Sequence, residues 1–409
     1  MAKVFNVSAA CKPEQHYMVK LEQRLAAIKE LVDNGAYFTI NRARQYGKTT
    51  TLHALKNYLQ EDYCVIFLDF QTFGAAEFAD ENSFAVSFAE GFLWELKQNC
   101  SSISEHLRTA IDNLEKNSQL PDKFRLRSLF FSLRDICASI SKPIVLIIDE
   151  VDSATNNQVF MDFLAQLRAY YISRDTQPTF QSVILAGVHD IKNMRRKMRP
   201  EEEHKVNSPW NIAADFNIDM SFSENEIAEM LKEYARDYQL NMDVNKIAQL
   251  LRDYTAGYPY LVSRLCKLMD EIICGKPGFE TKEKVWTTAG ILEAVKMILS
   301  EKNTLFESLI GKLTNYPELN SLIETLLFTG KPIAYNADNV MIDTATMLGF
   351  IKNQQGNVAI ANRLFETRLY NFYLSTAQMQ QKNIYTAALQ DKNQFIVDGY
   401  LNENPEPGS

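Results

Sequence analysis

No apolar run in this sequence approaches the roughly 18–20 residues that a membrane-spanning helix needs. The opening residues Met1-Ala2-Lys3-Val4-Phe5 contain neither a hydrophobic stretch nor a cleavage site of the kind that directs secretion. The expectation is a soluble, cytoplasmic protein with no membrane partner. Cysteine pairs are missing as well. Cys11, Cys64, Cys100, Cys137, Cys266 and Cys274 are scattered without a C-x-x-C spacing, which argues against a zinc site or a disulfide framework. Positive charge is in deficit, with 43 Lys and Arg against 51 Asp and Glu and a net charge of -8. That balance disfavours a surface built throughout to hold duplex nucleic acid, although a local basic patch would remain compatible with it. What remains is a chain of 409 residues, 46% hydrophobic, long enough for two or three domains around a large core.

A further absence is local and informative. The stretch Thr39-Ile40-Asn41-Arg42-Ala43-Arg44-Gln45-Tyr46-Gly47-Lys48-Thr49-Thr50-Thr51 follows a β-branched and aromatic run, residues 36–40, and precedes Leu52, Leu55 and Leu59 at helical spacing. Strand, loop and helix in this order form the context of a G-x-x-x-x-G-K-[ST] phosphate loop. In such a loop, backbone N–H groups and a helix N-terminus face the phosphates. On this reading Arg42, Ala43, Arg44, Gln45, Tyr46, Gly47, Lys48, Thr49 and Thr50 bind ATP. Lys48 reaches the β/γ oxygens as a catalytic cation, and Thr49 ligates Mg²⁺. The first glycine is missing: Arg42 stands in its place, a bulky cation where the loop loses its most permissive backbone position.

A Gly-Lys-Thr tripeptide by itself fits an ordinary helix start with an exposed lysine. A second motif favours the phosphate loop. Lys142-Pro143-Ile144-Val145-Leu146-Ile147-Ile148-Asp149-Glu150 is an apolar strand ending in two carboxylates, the pattern of a Walker B strand. Asp149 would hold Mg²⁺ through its water shell, and Glu150 would orient and deprotonate the attacking water. The competing interpretation is a buried strand whose acidic end is merely solvated.

Around these motifs the chain alternates. Phe5-Asn6-Val7 reads as a short strand, and residues 19–32 as a helix with Leu21, Leu25, Ile28 and Leu31 on one face, stopped by Gly35. His16 and Tyr17 either stack on adenine or pack in the core, and packing is favoured. Residues 63–70 form a second strand, 83–97 and 123–140 two helices, 158–171 another helix, 181–187 a fourth strand and 216–220 a fifth. Alternating strands and helices imply an α/β fold with a parallel sheet, and a strand inserted in space between the two motif strands. His189 and Asp190 stand where a γ-phosphate sensor would follow the fourth strand. The basic stretch Lys192-Asn193-Met194-Arg195-Arg196-Lys197-Met198-Arg199 fits an arginine finger, a nucleic-acid contact or, most commonly, a solvated helix face beside Glu201-Glu202-Glu203.

Past Met220 the periodicity is helical. Ser223 and Glu226 form a capping box, residues 244–254 a second helix, and Gly257-Tyr258-Pro259 a G-x-P turn of the kind that meets the nucleotide in small helical lids. With these residues in view, the chain resembles the AAA-like domain proteins, P-loop ATPases related to the signal-transducing STAND group and to the archaeal and origin-recognition ATPases. The resemblance spans about residues 5–265. It implies an ATP-dependent switch whose assembly or partner changes with nucleotide turnover. It also implies functional roles for Lys48, Thr49, Asp149, Glu150, Gly257 and Pro259. A second-sensor arginine is not evident in the lid; Arg264 is a distant candidate.

The C-terminal third resembles a winged helix. Residues 322–328 form a helix closed by Gly330, residues 345–348 lie in another, and a hairpin turns at Gln355-Gly356-Asn357. Between Lys331 and Ala361 the only cations are Lys331 and Lys352, too few for a DNA reader. Packing or protein binding is the expected role. The domains expected are a P-loop ATPase core over 1–220, a helical lid over 221–275, a winged-helix-like module over 276–378 and a fraying polar tail over 379–409. Self-association or a protein partner is expected, with an arginine supplied in trans. Two other classes stay open: a DNA-associated ATPase of initiator or mobile-element type, and a nucleotide-binding scaffold with negligible turnover.

Overall fold

The computed structural model describes residues 3–100, 103–119, 123–188, 210–376, 396–397 and 400–401. The chain divides into two compact units. A sheet unit comprises Leu21–Arg42 and Lys48–Asp219. A helical unit comprises Met1–Lys20, Ala43–Gly47 and Met220–Ser409.

In the sheet unit, β1 (Tyr37–Asn41), β2 (Cys64–Asp69), β3 (Ile144–Asp149) and β4 (Ser182–Gly187) form one parallel sheet in the order β1-β4-β3-β2. β4 therefore lies between the two strands that carry the motifs, as the alternation implied. β3 and β4 are buried at every position, the condition that favours continuous Val/Ile/Leu runs over alternating ones. Helices α1 (Glu22–Asp33), α2 (Lys48–Leu59), α3 (Glu81–Asn99), α4 (Glu105–Ser118), α5 (Leu126–Ser139) and α6 (Gln158–Ile172) flank the sheet. This is the P-loop ATPase fold. In this unit the sequence reading lacks α4, capped by Ser104 and burying Leu107, Ala110, Ile111 and Leu114, a spacing that was there to be found. β2 is an edge strand. The buried Glu95 of α3 covers it, accepting from the Phe67 amide at 3.1 Å while paired with Lys56 at 2.7 Å.

The expected fifth strand does not form. Ala214 makes a single parallel bridge to Phe38, and residues 215–219 carry no ladder. Arginine side chains occupy the backbone acceptors there. Arg42 Nη2 donates to the Ile218 carbonyl at 2.8 Å and Arg24 Nε to the Asp219 carbonyl at 3.2 Å, while Phe216 stacks on Phe38. The opening strand at Phe5-Asn6-Val7 likewise reduces to one bridge, between Val4 and His16.

The helical unit starts with the N-terminal segment, whose Phe5 is buried among Tyr17, Tyr234 and Trp286. Tyr17 donates its hydroxyl to Asp237, so Tyr17 packs in this core as favoured. Helix Glu224–Tyr238 opens with the capping box of Ser223 and Glu226, and is followed by helices Val244–Thr255 and Pro259–Lys267. Helices Thr288–Ser300, Thr304–Asn315, Pro317–Phe328 and Val340–Met347 lead to a hairpin, β5 (Ile351–Gln354) and β6 (Asn357–Ile360), and then to helix Arg363–Ser375. The hairpin turn places Gln355 and Gly356 at φ 53° and 85°, the two left-handed positions that match the right-handed twist of paired strands. Of the tail, residues 396–397 and 400–401 pair antiparallel. No helix among the described residues is long and apolar enough to cross a membrane.

Candidate nucleotide-binding site

β1 ends at Asn41 and α2 begins at Lys48, so residues 42–47 form the connecting loop. Its left-handed positions are Gln45 (φ 57°) and Gly47 (φ 80°), and Arg42 is not among them. The missing glycine is therefore tolerated: the first loop position adopts a backbone angle open to any residue. The Arg42 amide extends the sheet pairing by donating to Gly187 at 3.2 Å. Its guanidinium turns to the Asn41 and Ile218 carbonyls and lies over the Phe216 ring, 5.3 Å from the centroid. Arg42's carbonyl accepts the buried Lys48 ammonium at 2.9 Å.

The two motifs meet at the ends of β1 and β3. Thr49 Oγ1 donates to Asp149 Oδ2 at 2.9 Å, and Asp149 Oδ1 accepts the Glu150 amide at 2.9 Å. Asp69, the last residue of β2, stands in register beside Asp149. Burial raises the Asp149 carboxyl above its ordinary value, against the opposing hydrogen bonds from Thr49 and Glu150 and the charge of Lys48. Glu150 is raised too, by burial first and then by the Asp149 charge. Its backbone is left-handed, with φ 53° and ψ 39°, a conformation that costs a non-glycine residue energy and concentrates at functional sites.

Sequence reasoning missed the groups that hold Glu150 in place. After it comes a 3₁₀ turn, Val151–Ala154. From this turn Asp152 Oδ2 accepts the Val188 amide just past β4 at 2.6 Å, and Ser153 Oγ donates to the Phe70 carbonyl just past β2 at 3.0 Å. The turn is thus tied to both neighbouring strands. A second acidic residue two positions after Glu150 was the available signal.

A hydroxyl and a carboxylate held together at 2.9 Å are hard oxygen donors of the kind Mg²⁺ takes, so Thr49 and Asp149 fit that ion. Among the described residues no group of three His, Cys, Asp or Glu side chains forms a metal cage. Thr50 follows in the first turn of α2.

In the helical unit, Gly257 takes φ 72°, and a Cβ there would lie 2.1 Å from the Phe222 carbonyl oxygen, so only glycine fits. Pro259 opens the next helix. Residues Ala43–Gly47 group with this unit, and a Cβ on Gly47 would lie 3.9 Å from Pro259 Cβ. Arg264 is engaged by Glu301, with Nε donating to Oε1 at 3.0 Å. His16 accepts the Lys12 amide on Nδ1. His189, Asp190, the basic stretch 192–199 and Glu201-Glu202-Glu203 lie outside the described residues.

Among solved structures the chain is similar to the Walker-type ATPase PABY2304 of Pyrococcus abyssi, at 15% identity and TM-score 0.58, covering 89% of this chain and 99% of that one. It is also similar to the ORC2 protein of Aeropyrum pernix, at 13% identity and TM-score 0.46, covering 94% and 97%. A third is the RuvB Holliday junction branch migration motor of Thermotoga maritima, at 13% identity and TM-score 0.40, covering 87% and 95%. No curated protein matches the sequence. The family model described as the AAA-like domain matches residues 10–375, nearly the whole chain, and the protein belongs to that family.

Proposed function

We propose that the protein binds Mg-ATP, hydrolyses it, and uses the cycle as a switch in assembly or partner regulation. The observation that carries this reading is the bond from Thr49, in the first turn of α2, to Asp149 at the end of β3 beside Glu150, with Lys48 next to Thr49 on the same helix. Lys48 supplies the ammonium for the β/γ oxygens, and exchanges its bond to the Arg42 carbonyl for them. Thr49 and Asp149 would hold Mg²⁺, which neutralises phosphate charge when bound. Glu150 takes the proton of the attacking water. Burial raises its pKa above the ordinary carboxylate value, which makes the carboxylate a stronger base. An arginine from a second copy or a partner protein completes the charge stabilisation.

The switch is assigned to the lid, residues 221–275, with Gly257 and Pro259 at the nucleotide, and to the winged-helix-like module, residues 276–378, as the part that meets a protein partner. Its test is native mass measured for the apo protein and with a non-hydrolysable ATP analogue, alongside phosphate release from Mg-ATP. A change of assembly with the analogue together with Lys48-dependent phosphate release is expected. Binding without any release would leave a nucleotide-bound scaffold, and absence of both binding and release would overturn the reading.

A further inference from the structure

The loop residues 43–47 belong to the helical unit and are held within it at several points. The buried Tyr258 hydroxyl donates to the Arg44 carbonyl, and its ring meets Tyr46 edge-on at 4.7 Å. Thr304 Oγ1, at the start of a helix far along the chain, accepts from Gln45 Nε2 at 3.1 Å. Gly349, before the hairpin, comes so close that a Cβ on it would lie 2.7 Å from Ala43 Cβ. Lid turn, helix and hairpin entry thus converge on one short loop.

The bond from Tyr258 has a geometric consequence. In a trans peptide the carbonyl and the following N–H point in opposite directions, and this chain has no cis peptide among its described residues. With the Arg44 carbonyl turned to Tyr258, the Gln45 N–H is turned away from it. Gln45 is itself left-handed, and a left-handed residue in such a loop helps to form the concave row of amides that receives an anion. Burial pushes the Tyr258 hydroxyl well above its ordinary value, so it remains a donor throughout the working pH range.

We propose that Tyr258 is a positioning residue for the phosphate loop: its hydroxyl fixes the Arg44–Gln45 peptide with the Gln45 amide toward the phosphates, so that this hydrogen bond sets nucleotide affinity. The proposal rests on the nucleotide reading above. Thr304 is a second anchor acting in the same direction. Neither side chain acts on the reacting atoms, so their effect belongs to binding and release, and turnover at saturation is left to Lys48 and Glu150.

Binding of a fluorescent ATP analogue with Mg²⁺, steady-state hydrolysis and apo melting temperature are compared for the parent, Lys48→Ala, Tyr258→Phe and Thr304→Val. Removing one buried hydrogen bond changes an equilibrium by about three- to tenfold. Tyr258→Phe is therefore expected to weaken binding and raise KM by about that factor, with kcat close to the parent and the melting temperature little changed. Thr304→Val is expected to weaken binding less, by about twofold, because its bond is the more exposed. Parent-like affinity in Tyr258→Phe, with affinity lost in Lys48→Ala, overturns the positioning role and leaves the nucleotide reading standing. A fall in kcat with KM unchanged overturns it equally. If the parent fails to bind the analogue, both fall together. Should Tyr258→Phe melt early, the Thr304→Val affinity decides.

Discussion

Two clusters of buried charge, one in each unit, are treated differently. In the helical unit Asp270 accepts from Lys282 and Tyr234, and Tyr234 in turn accepts the Trp286 indole N–H at 3.0 Å. Arg264 and Glu301 pair side to side. These charges have their counter-charges in place, and the Asp270 group lies beside the seat of the N-terminal Phe5. At the strand ends of the sheet unit three carboxylates gather instead, Asp69, Asp149 and Glu150, with Lys48 as the cation that lowers the pKa of the last two. Burial nonetheless leaves both raised. A folded chain keeps such a cluster at a cost in stability, and the cost is understandable where a cation and a polyphosphate are to be received.

The comparison breaks most completely at Lys48. Lys48→Ala removes the one ammonium from the carboxylate cluster and is expected to lower Mg-ATP affinity by about 100-fold or more; thermal stabilisation by Mg-ATP that survives the substitution would contradict the phosphate-loop assignment. Glu150→Gln keeps size and packing but removes the base. Hydrolysis should fall by about 10²- to 10⁴-fold while the analogue still binds, and a phosphate-release rate equal to the parent's would exclude Glu150 from the chemistry.

The helical unit should answer differently. Asp270→Asn leaves Lys282 without its carboxylate and is expected to reduce urea stability by about 1–3 kcal/mol, with hydrolysis at saturating ATP retained. A stability equal to the parent's would show that the pair contributes little to the fold. The smallest effect is in pH. Asp149 and Glu150 are raised in the folded state above their ordinary 3.8 and 4.5, so between those values and the folded ones the native chain binds more protons than the unfolded chain. Stability from this pair is full below the ordinary values and declines as pH rises through the folded ones. The melting temperature of the apo Asp149→Asn, Glu150→Gln double variant should therefore gain on the parent as pH rises from 4 to 7; a constant difference would mean that burial does not strain these carboxyls.

Much of this architecture was readable from runs and spacings. The stretches around Tyr37, Val65, Ile147 and Ile184 each became strands because an uninterrupted apolar run can be covered on both faces only inside a sheet. The Ser223 capping box and the Gln355-Gly356 turn formed as read, since each is settled within four residues. Residues 216–220 were misread for a reason that no local pattern records: their acceptors were taken by Arg24 and Arg42, far away in sequence.

The sequence by itself determined the strand-loop-helix and the acidic strand end, and with them the family, because these depend on residue type and order over short spans. Tertiary structure decided why Arg42 can replace a glycine, since that depends on where its side chain finds carbonyls and a ring. It decided how the turn after Glu150 is held, by Asp152 on the amide of Val188 and Ser153 on the carbonyl of Phe70. It also decided which hydroxyl meets the Arg44 carbonyl, 214 residues distant in the chain. Hydrogen-bond partners chosen across such separations follow from the packing of whole elements, and periodicity carries no trace of them.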